Sequence, residues 1–375
     1  MKALILSCNT GEGHNSCAKA VKEYFDLQGV PCEIADALGF ISEGASKLAS
    51  DAHVMMYRHI PGLFDSSYRY YERHPSSLEE NSVVHQVLTR ATEPLYRYLS
   101  RGKYNIVICT HVFAALMVTN LLKKHPLPIA TCSIATDYTC SPMFQDSALD
   151  CYCIPHGSLA GEFEGPTTPL CKMIDCGIPV RQMFFSSLPK YEAKKLAGVA
   201  PSDRHLLMMC GSMGCGPMKH IADLLRGGMR DGCEMTIVCG TNQHLLKSLQ
   251  REYAKCSHIH VKGYVQDISL LMDSADLYLT KPGGISVTEA AVKALPMVLV
   301  DAVAGCEEHN LRFFTQRGVA ICSATTEALA ADALLLLHDE ARLQEMRINL
   351  AGLQPRNAAQ TIFEHMRRLA QMKAA

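Results

Sequence analysis

Two glycine turns in this chain stand just ahead of helical patterns, the arrangement that leaves backbone N–H groups aimed at an anion. The richer one lies in Leu277–Asn310, LYLTKPGGISVTEAAVKALPMVLVDAVAGCEEHN. Its pattern predicts a strand over Leu277–Thr280, a turn over Lys281–Gly284, a helix opening at Ser286, a second strand over Met297–Val300 and a loop of acids and amides. The positive end of such a helix can hold a phosphate without a metal. Glu289, one turn in, is suited to a ribose diol, because a carboxylate accepts two hydroxyl protons at once. Gly305 to Asn310 would offer side-chain donors and acceptors to whatever the diphosphate carries. An ordinary connection with a glycine turn fits the same residues. The second turn, Gly211-Ser212-Met213-Gly214-Cys215-Gly216-Pro217, also follows a strand and precedes a helix, so two helix N-termini can converge on one diphosphate.

Proton chemistry has its candidates near the start of the chain. After an apolar strand over residues 2 to 7 come Gly11, Gly13, His14 and Asn15, then an amphipathic helix to about Gln28. A histidine at a helix start has its pKa lowered by the dipole, which favours the neutral imidazole that can take a proton. It can equally be a surface cap. The G-x-G here lacks the third glycine of a dinucleotide fingerprint. Asp137 lies just past a strand over Ile129–Ala135, as a base, an orienting carboxylate or a turn residue. No D-x-D and no C-x-x-C occurs, and Cys151 with Cys153 share a strand face without a second pair, so no metal site is expected.

The elements that position these residues alternate as strand and helix through most of the chain. At 375 residues, with 48% hydrophobic and 19% charged, the length and composition suit two globular domains. No apolar run reaches 18 residues and the start is too short for a signal peptide, so a cytoplasmic protein is expected. Seventeen cysteines, mostly inside predicted elements, fit a reducing compartment. The formal net charge of −1 gives no general attraction to nucleic acid. Alternation stalls only between Gly39 and Gly102. From Val54 to Lys103, tyrosines and arginines interleave, with seven basic residues against five acidic. Rings beside cations suit a membrane interface, and the same tyrosines at helical spacing suit a core. A linker is expected where Cys176 to Arg181 starts a break and Ser186 to Ser202 carries Pro189 and Pro201 with a short helix between.

Several motifs in order resemble a known family. LSCNTGEGHNSCAKAVKEYF, CGIPVRQMF, and KPGGISVTEA followed by P-M-V-L-V and G-x-E-x-x-N are similar to segments of inverting glycosyltransferases of family 28. These include plant monogalactosyldiacylglycerol synthase, the bacterial processive diacylglycerol glucosyltransferases and the peptidoglycan lipid-linked N-acetylglucosaminyltransferase. The resemblance implies an α/β GT-B fold of two Rossmann-like, doubly wound domains facing a central cleft. Residues 1–178 would hold the acceptor and face the membrane, residues 179–352 would bind the UDP-sugar, and residues 353–375 would form a helix packing back across the linker. It implies His14 and Asp137 as the catalytic pair, with Gly11, Gly13, Asn15 and Tyr138 beside the acceptor. Gly211, Ser212 and Gly214, then Lys281, Gly283, Gly284 and Glu289, match the two donor loops. Gly263 and Tyr264 join the donor set, and Glu307 and Asn310 match the sugar-facing loop. The implied partners are a UDP-sugar, with no cofactor or metal, a diacylglycerol or related lipid acceptor, and a membrane surface met peripherally through the 54–103 segment.

Three departures bear on substrate choice. Ser141 and Phe144 stand where the diacylglycerol branch commonly has His and Trp, Cys306 stands where it has Gln, and the chain contains no tryptophan. Rival readings are a nucleotide-sugar 2-epimerase, a UDP-sugar transferase with another acceptor, and a UDP-sugar sensor with weak catalysis.

Overall fold

The computed structural model of the chain describes residues 1–9, 11–42, 44, 83–212, 214, 216–300, 305–353 and 356–374. In chain order these run β1 (Ala3–Ser7), α1 (Glu12–Leu27), β2 (Cys32–Asp36), α2 (Val83–Thr89), α3 (Thr92–Gly102), β3 (Ile106–Cys109), α4 (Val112–Lys124), β4 (Ala130–Ile134), β5 (Cys151–Ile154), α5 (Ala160–Phe163) and β6 (Met173–Asp175). After a short break follow α6 (Lys190–Ala197), β7 (Arg204–Met209), α7 (Met218–Gly228), β8 (Cys233–Val238), α8 (Gln243–Glu252), β9 (Ile259–Lys262), α9 (Ile268–Ser274) and β10 (Leu277–Thr280). The chain closes with α10 (Gly284–Val292), β11 (Met297–Leu299), α11 (Cys306–Gln316), β12 (Ala320–Ile321), α12 (Thr326–His338), α13 (Glu340–Gly352) and α14 (Ala358–Ala374).

These elements form two compact units, each around one parallel six-stranded sheet. Unit 1 comprises Met1–Gln182, Val303–Cys306 and Arg356–Ala375, with strand order β2-β1-β3-β4-β5-β6. Its central strands are buried on both faces, so ALILS, IVIC and ATCSI read as runs rather than alternations. Each such aliphatic side chain removed from water contributes roughly 1.5–3 kcal/mol. The last helix belongs to this unit: Phe363 of α14 meets Phe25 of α1 edge to face at 5.0 Å, and Met366 lies against Cys151. Of the aromatic and arginine-rich segment, residues 54–82 lie outside the described residues. In α3, Leu95 and Leu99 are buried, Tyr96 stacks on His125 at 4.2 Å, and Tyr98 is exposed. That helix therefore serves both the core and the surface.

Unit 2 comprises Met183–Ala302 and Glu307–Pro355, with order β12-β11-β10-β7-β8-β9. Counted within the unit this is 6-5-4-1-2-3, the dinucleotide-type winding that reverses between its first and fourth strands. The sequence expectation for α10 is off by two residues. The helix opens at Gly284, not Ser286, with Gly283 as an extended N-cap (φ −73, ψ 134) that supplies no side-chain cap. Serine is the commoner cap by type, but here glycine leaves the first N–H groups of the helix for another acceptor. Among the described residues, no helix is long and apolar enough to cross a membrane.

Candidate active site

In unit 1 the winding reverses between β1 and β3, and ligands of such sheets sit beyond the strand ends at that point. Gly11, at φ 149 and ψ 150, occupies a region essentially closed to other residues and turns the chain from β1 into α1. His14 therefore falls in the first turn of α1. Its Nδ1 lies 2.7 Å from the Thr110 carbonyl oxygen and 3.2 Å from Thr136 Oγ1. A carbonyl can only accept, so Nδ1 carries the proton, Thr136 takes a second arm of the same donor, and the Nε2 lone pair is the basic one.

Thr110 directly follows β3 and Thr136 lies two residues past β4, so the ends of two neighbouring strands fix one imidazole. Neither threonine was singled out in the sequence, although Thr136 directly precedes Asp137, which was. His111 meets His14 edge to face at 4.5 Å. It also caps α4, with Nδ1 accepting from the Phe113 N–H at 3.1 Å. The two histidines thus have opposite tautomers in their neutral forms. Asn15 is held by Ser7 at 2.8 Å and by Asn9 at 3.0 Å, and Asn9 in turn donates to Asp36 at 2.7 Å. Gly13 lies between these groups in the first turn. Asp137 follows Thr136 and is half-buried, while Tyr138 is buried. Phe144, where a tryptophan anchor was absent, packs edge to face on Phe163 at 5.2 Å and is core.

In unit 2 the reversal lies between β7 and β10, the strands that carry the two glycine turns. The β7 turn has Gly211 at φ 71, Gly214 at φ 54 and Gly216 at φ 90, conformations that favour glycine. It interlocks with a third turn that the sequence reading passed over, Gly240-Thr241-Asn242 after β8. The Ser212 carbonyl accepts from the Thr241 N–H at 2.8 Å, and Asn242 Nδ2 donates to the Gly214 carbonyl at 3.2 Å. Gly240 has φ +58, and a Cβ there would lie 2.0 Å from the Ser212 carbonyl oxygen. The signal available was C-G-T-N between a strand and a helix.

The β10 turn is braced from α11. Asn310, fully buried, donates from Nδ2 to the Pro282 carbonyl at 2.9 Å, and Glu307 pairs with Lys281 at 3.3 Å. Lys281 and Glu289 are 5% and 8% exposed. Asn310 thus holds the turn from the loop that the resemblance places beside the sugar. Behind them the Tyr278 phenol is fully buried, and desolvation keeps it protonated. Gly263 and Tyr264 follow edge strand β9, two strands from β7, with the Tyr264 ring exposed. The structure gathers Lys281, Gly283, Gly284, Glu289, Glu307 and Asn310 at the β10 turn and the elements that flank it, and Gly211, Ser212 and Gly214 in the turn after the adjacent strand, β7. No cluster of metal-ligating side chains occurs among the described residues.

Known proteins fit both halves. Residues 14–180 match the model of monogalactosyldiacylglycerol (MGDG) synthase, and residues 205–362 that of the glycosyltransferase family 28 C-terminal domain. The chain belongs to the MGDG synthase-like glycosyltransferases of family 28. Relatives of this family 28 enzyme include proteins of Bacillus pumilus and Bacillus subtilis, each named processive diacylglycerol beta-glucosyltransferase. Both are 26% identical to it, over 97% and 100% of the chain and 94% and 97% of their own lengths. Among solved structures it resembles Acinetobacter baumannii MurG, with TM-score 0.67 and 14% identity over 98% of this chain and 100% of that one. It also resembles Anabaena HepE in complex with UDP, with TM-score 0.57 and 13% identity over 98% and 100%. At those identities the likeness concerns the fold, which is GT-B with two Rossmann-like domains. Family membership does not favour the 2-epimerase and sensor readings.

Proposed function

We propose that this family 28 glycosyltransferase moves a hexose from a UDP-sugar to the hydroxyl of diacylglycerol or a glycosyl-diacylglycerol, with inversion, at a membrane surface it meets peripherally. The names of the Bacillus relatives support the acceptor. The observation that carries the chemistry is the His14 imidazole, whose Nδ1–H is fixed by the Thr110 carbonyl so that Nε2 is the base.

In this reading Nε2 takes the acceptor hydroxyl proton, the oxygen attacks the anomeric carbon opposite the leaving group, and the bond to UDP breaks. Asp137 orients the base or the acceptor, and Gly11, Gly13, Asn15 and Tyr138 line the acceptor side, within residues 1–178. The donor belongs to residues 179–352. N–H groups at the start of α10 and in the Gly211–Gly214 turn receive the diphosphate charge, which requires no reorganisation when UDP leaves. Glu289 takes the ribose diol. Lys281 is already paired with Glu307, so a bound diphosphate competes with that carboxylate for it.

The test is UDP release by purified protein offered UDP-glucose, UDP-galactose or UDP-N-acetylglucosamine, each with and without diacylglycerol liposomes. Release that requires liposomes supports the lipid acceptor and names the donor. Release unaffected by liposomes contradicts it.

A further inference from the structure

Unit 1 carries a cavity of about 560 Å³ that no step above uses, between α3, β2 and the turn that follows β2. The helix α3 has two distinct faces. Thr92, Leu95 and Leu99 are buried in the core, whereas Pro94, Arg97, Tyr98 and Arg101, spaced i, i+3, i+4 and i+7, line the cavity. The opposite wall is aromatic. Phe40 meets Tyr98 edge to face at 5.2 Å, and Tyr98 stacks on Tyr104 at 5.7 Å.

Charge decides what this cavity suits. The one carboxylate among its described lining residues, Glu33, is already satisfied: Lys2 pairs with it at 2.7 Å, and the Tyr98 and Tyr104 hydroxyls both donate to it. The Lys2 ammonium, then the Tyr104 hydroxyl, hold its carboxyl below the usual carboxylate range. Arg97 and Arg101 are exposed, and among the described residues neither has an ion pair or hydrogen bond. Like charges one turn apart on a helix are mildly destabilising, by roughly 0.2–0.5 kcal/mol. The end of α3 offsets this for Arg101, which lies in the last turn, but not for Arg97. An aromatic box with an acid would hold a cation, yet two unpaired guanidiniums and the Lys2 ammonium oppose one. Two guanidinium forks beside rings match an anion with three or four oxygens on an organic stem.

We propose that this cavity is a second ligand site, for a phosphate ester whose anion is held by Arg97 and Arg101 and whose organic part lies on the Phe40, Tyr98 and Tyr104 rings. The source of the ester is a soluble metabolite or a lipid headgroup. The proposal does not rest on the acceptor assigned above, and a binding readout keeps it testable if transfer fails.

The experiment uses the full chain and two double variants of equal charge loss. R97Q/R101Q removes the cavity cations. R90Q/K103Q removes two exposed cations outside it. Calorimetry with glycerol 3-phosphate reads the soluble source, and flotation with phosphatidylcholine vesicles, with and without phosphatidylglycerol, reads the headgroup. The expected result is binding in one arm at least, weakened about tenfold or more by R97Q/R101Q and less than about threefold by R90Q/K103Q. Binding to glycerol 3-phosphate identifies a soluble ester as sufficient, and binding only to the phosphatidylglycerol vesicles identifies the headgroup. Equal weakening by both variants, or no binding of either probe, overturns the proposal.

Discussion

Beyond the end of β1 the groups at the winding reversal are side chains, an imidazole and a set of amides wired to one another, whereas beyond β7 and β10 they are mainly backbone N–H groups set by glycine. The first arrangement fixes where a proton is carried. His14 has one nitrogen committed to the Thr110 carbonyl, and its second partner comes from the neighbouring strand. The second arrangement fixes where negative charge is welcome. Its side chains brace the turns: Asn310 holds the Pro282 carbonyl and Asn242 the Gly214 carbonyl. On the function proposed above, one parallel-sheet plan serves proton transfer in unit 1 and the leaving group in unit 2.

The largest effect expected from breaking this contrast is in unit 1. His14→Ala should lower turnover by about 10²–10⁴-fold, the usual contribution of a positioned base, with the KM for the UDP-sugar little changed. In unit 2, Glu289→Ala should raise the KM for the donor roughly 10- to 100-fold, the worth of a hydrogen bond to a charged group, and leave the acceptor dependence alone. Steady-state kinetics varying each substrate in turn checks both.

Gly240→Ala tests whether backbone shape rather than a side chain makes the donor site. The added methyl meets the Ser212 carbonyl and needs a left-handed backbone, which costs about 1–2 kcal/mol before the clash is counted. Donor affinity and thermal stability should fall together, with the His14 geometry untouched. Unchanged donor affinity would mean that the β8 turn does not shape the site.

The smallest effect on catalysis concerns acid, and it is read in stability alone. Burial pushes the His205 imidazole of β7 from its ordinary 6.5 down to about 3, where it stays neutral between Thr236 and Ser274. Its folded pKa lies below its unfolded one, so its stabilisation is present above pH 6.5 and is lost as pH falls towards 3. The slope is up to about 1.4 kcal/mol per pH unit. Urea midpoints measured between pH 7 and 4 should show this slope, and His205→Gln should flatten it. The same slope in that variant would assign the acid sensitivity elsewhere.

The strands were legible because parallel strands buried on both faces read as apolar runs, and residues 2 to 7 and LYLT stood out for that reason. The glycine turns were legible because a left-handed backbone selects the residue type. What escaped the reading has equally physical causes. Thr110 and Thr136 act on His14 through a carbonyl and a hydroxyl, and a carbonyl has no residue signature. The C-G-T-N turn looked like a simple connection until its carbonyl and amide contacts to the β7 turn were seen. The brace from Asn310 to Pro282 escaped for the same reason, since its acceptor is again a carbonyl.

The division of labour between the two reversals is tested most directly by titrating UDP into wild type, His14→Ala and Glu289→Ala by calorimetry. The account predicts wild-type affinity for His14→Ala and clearly weakened binding for Glu289→Ala. Equal loss in both variants would contradict it.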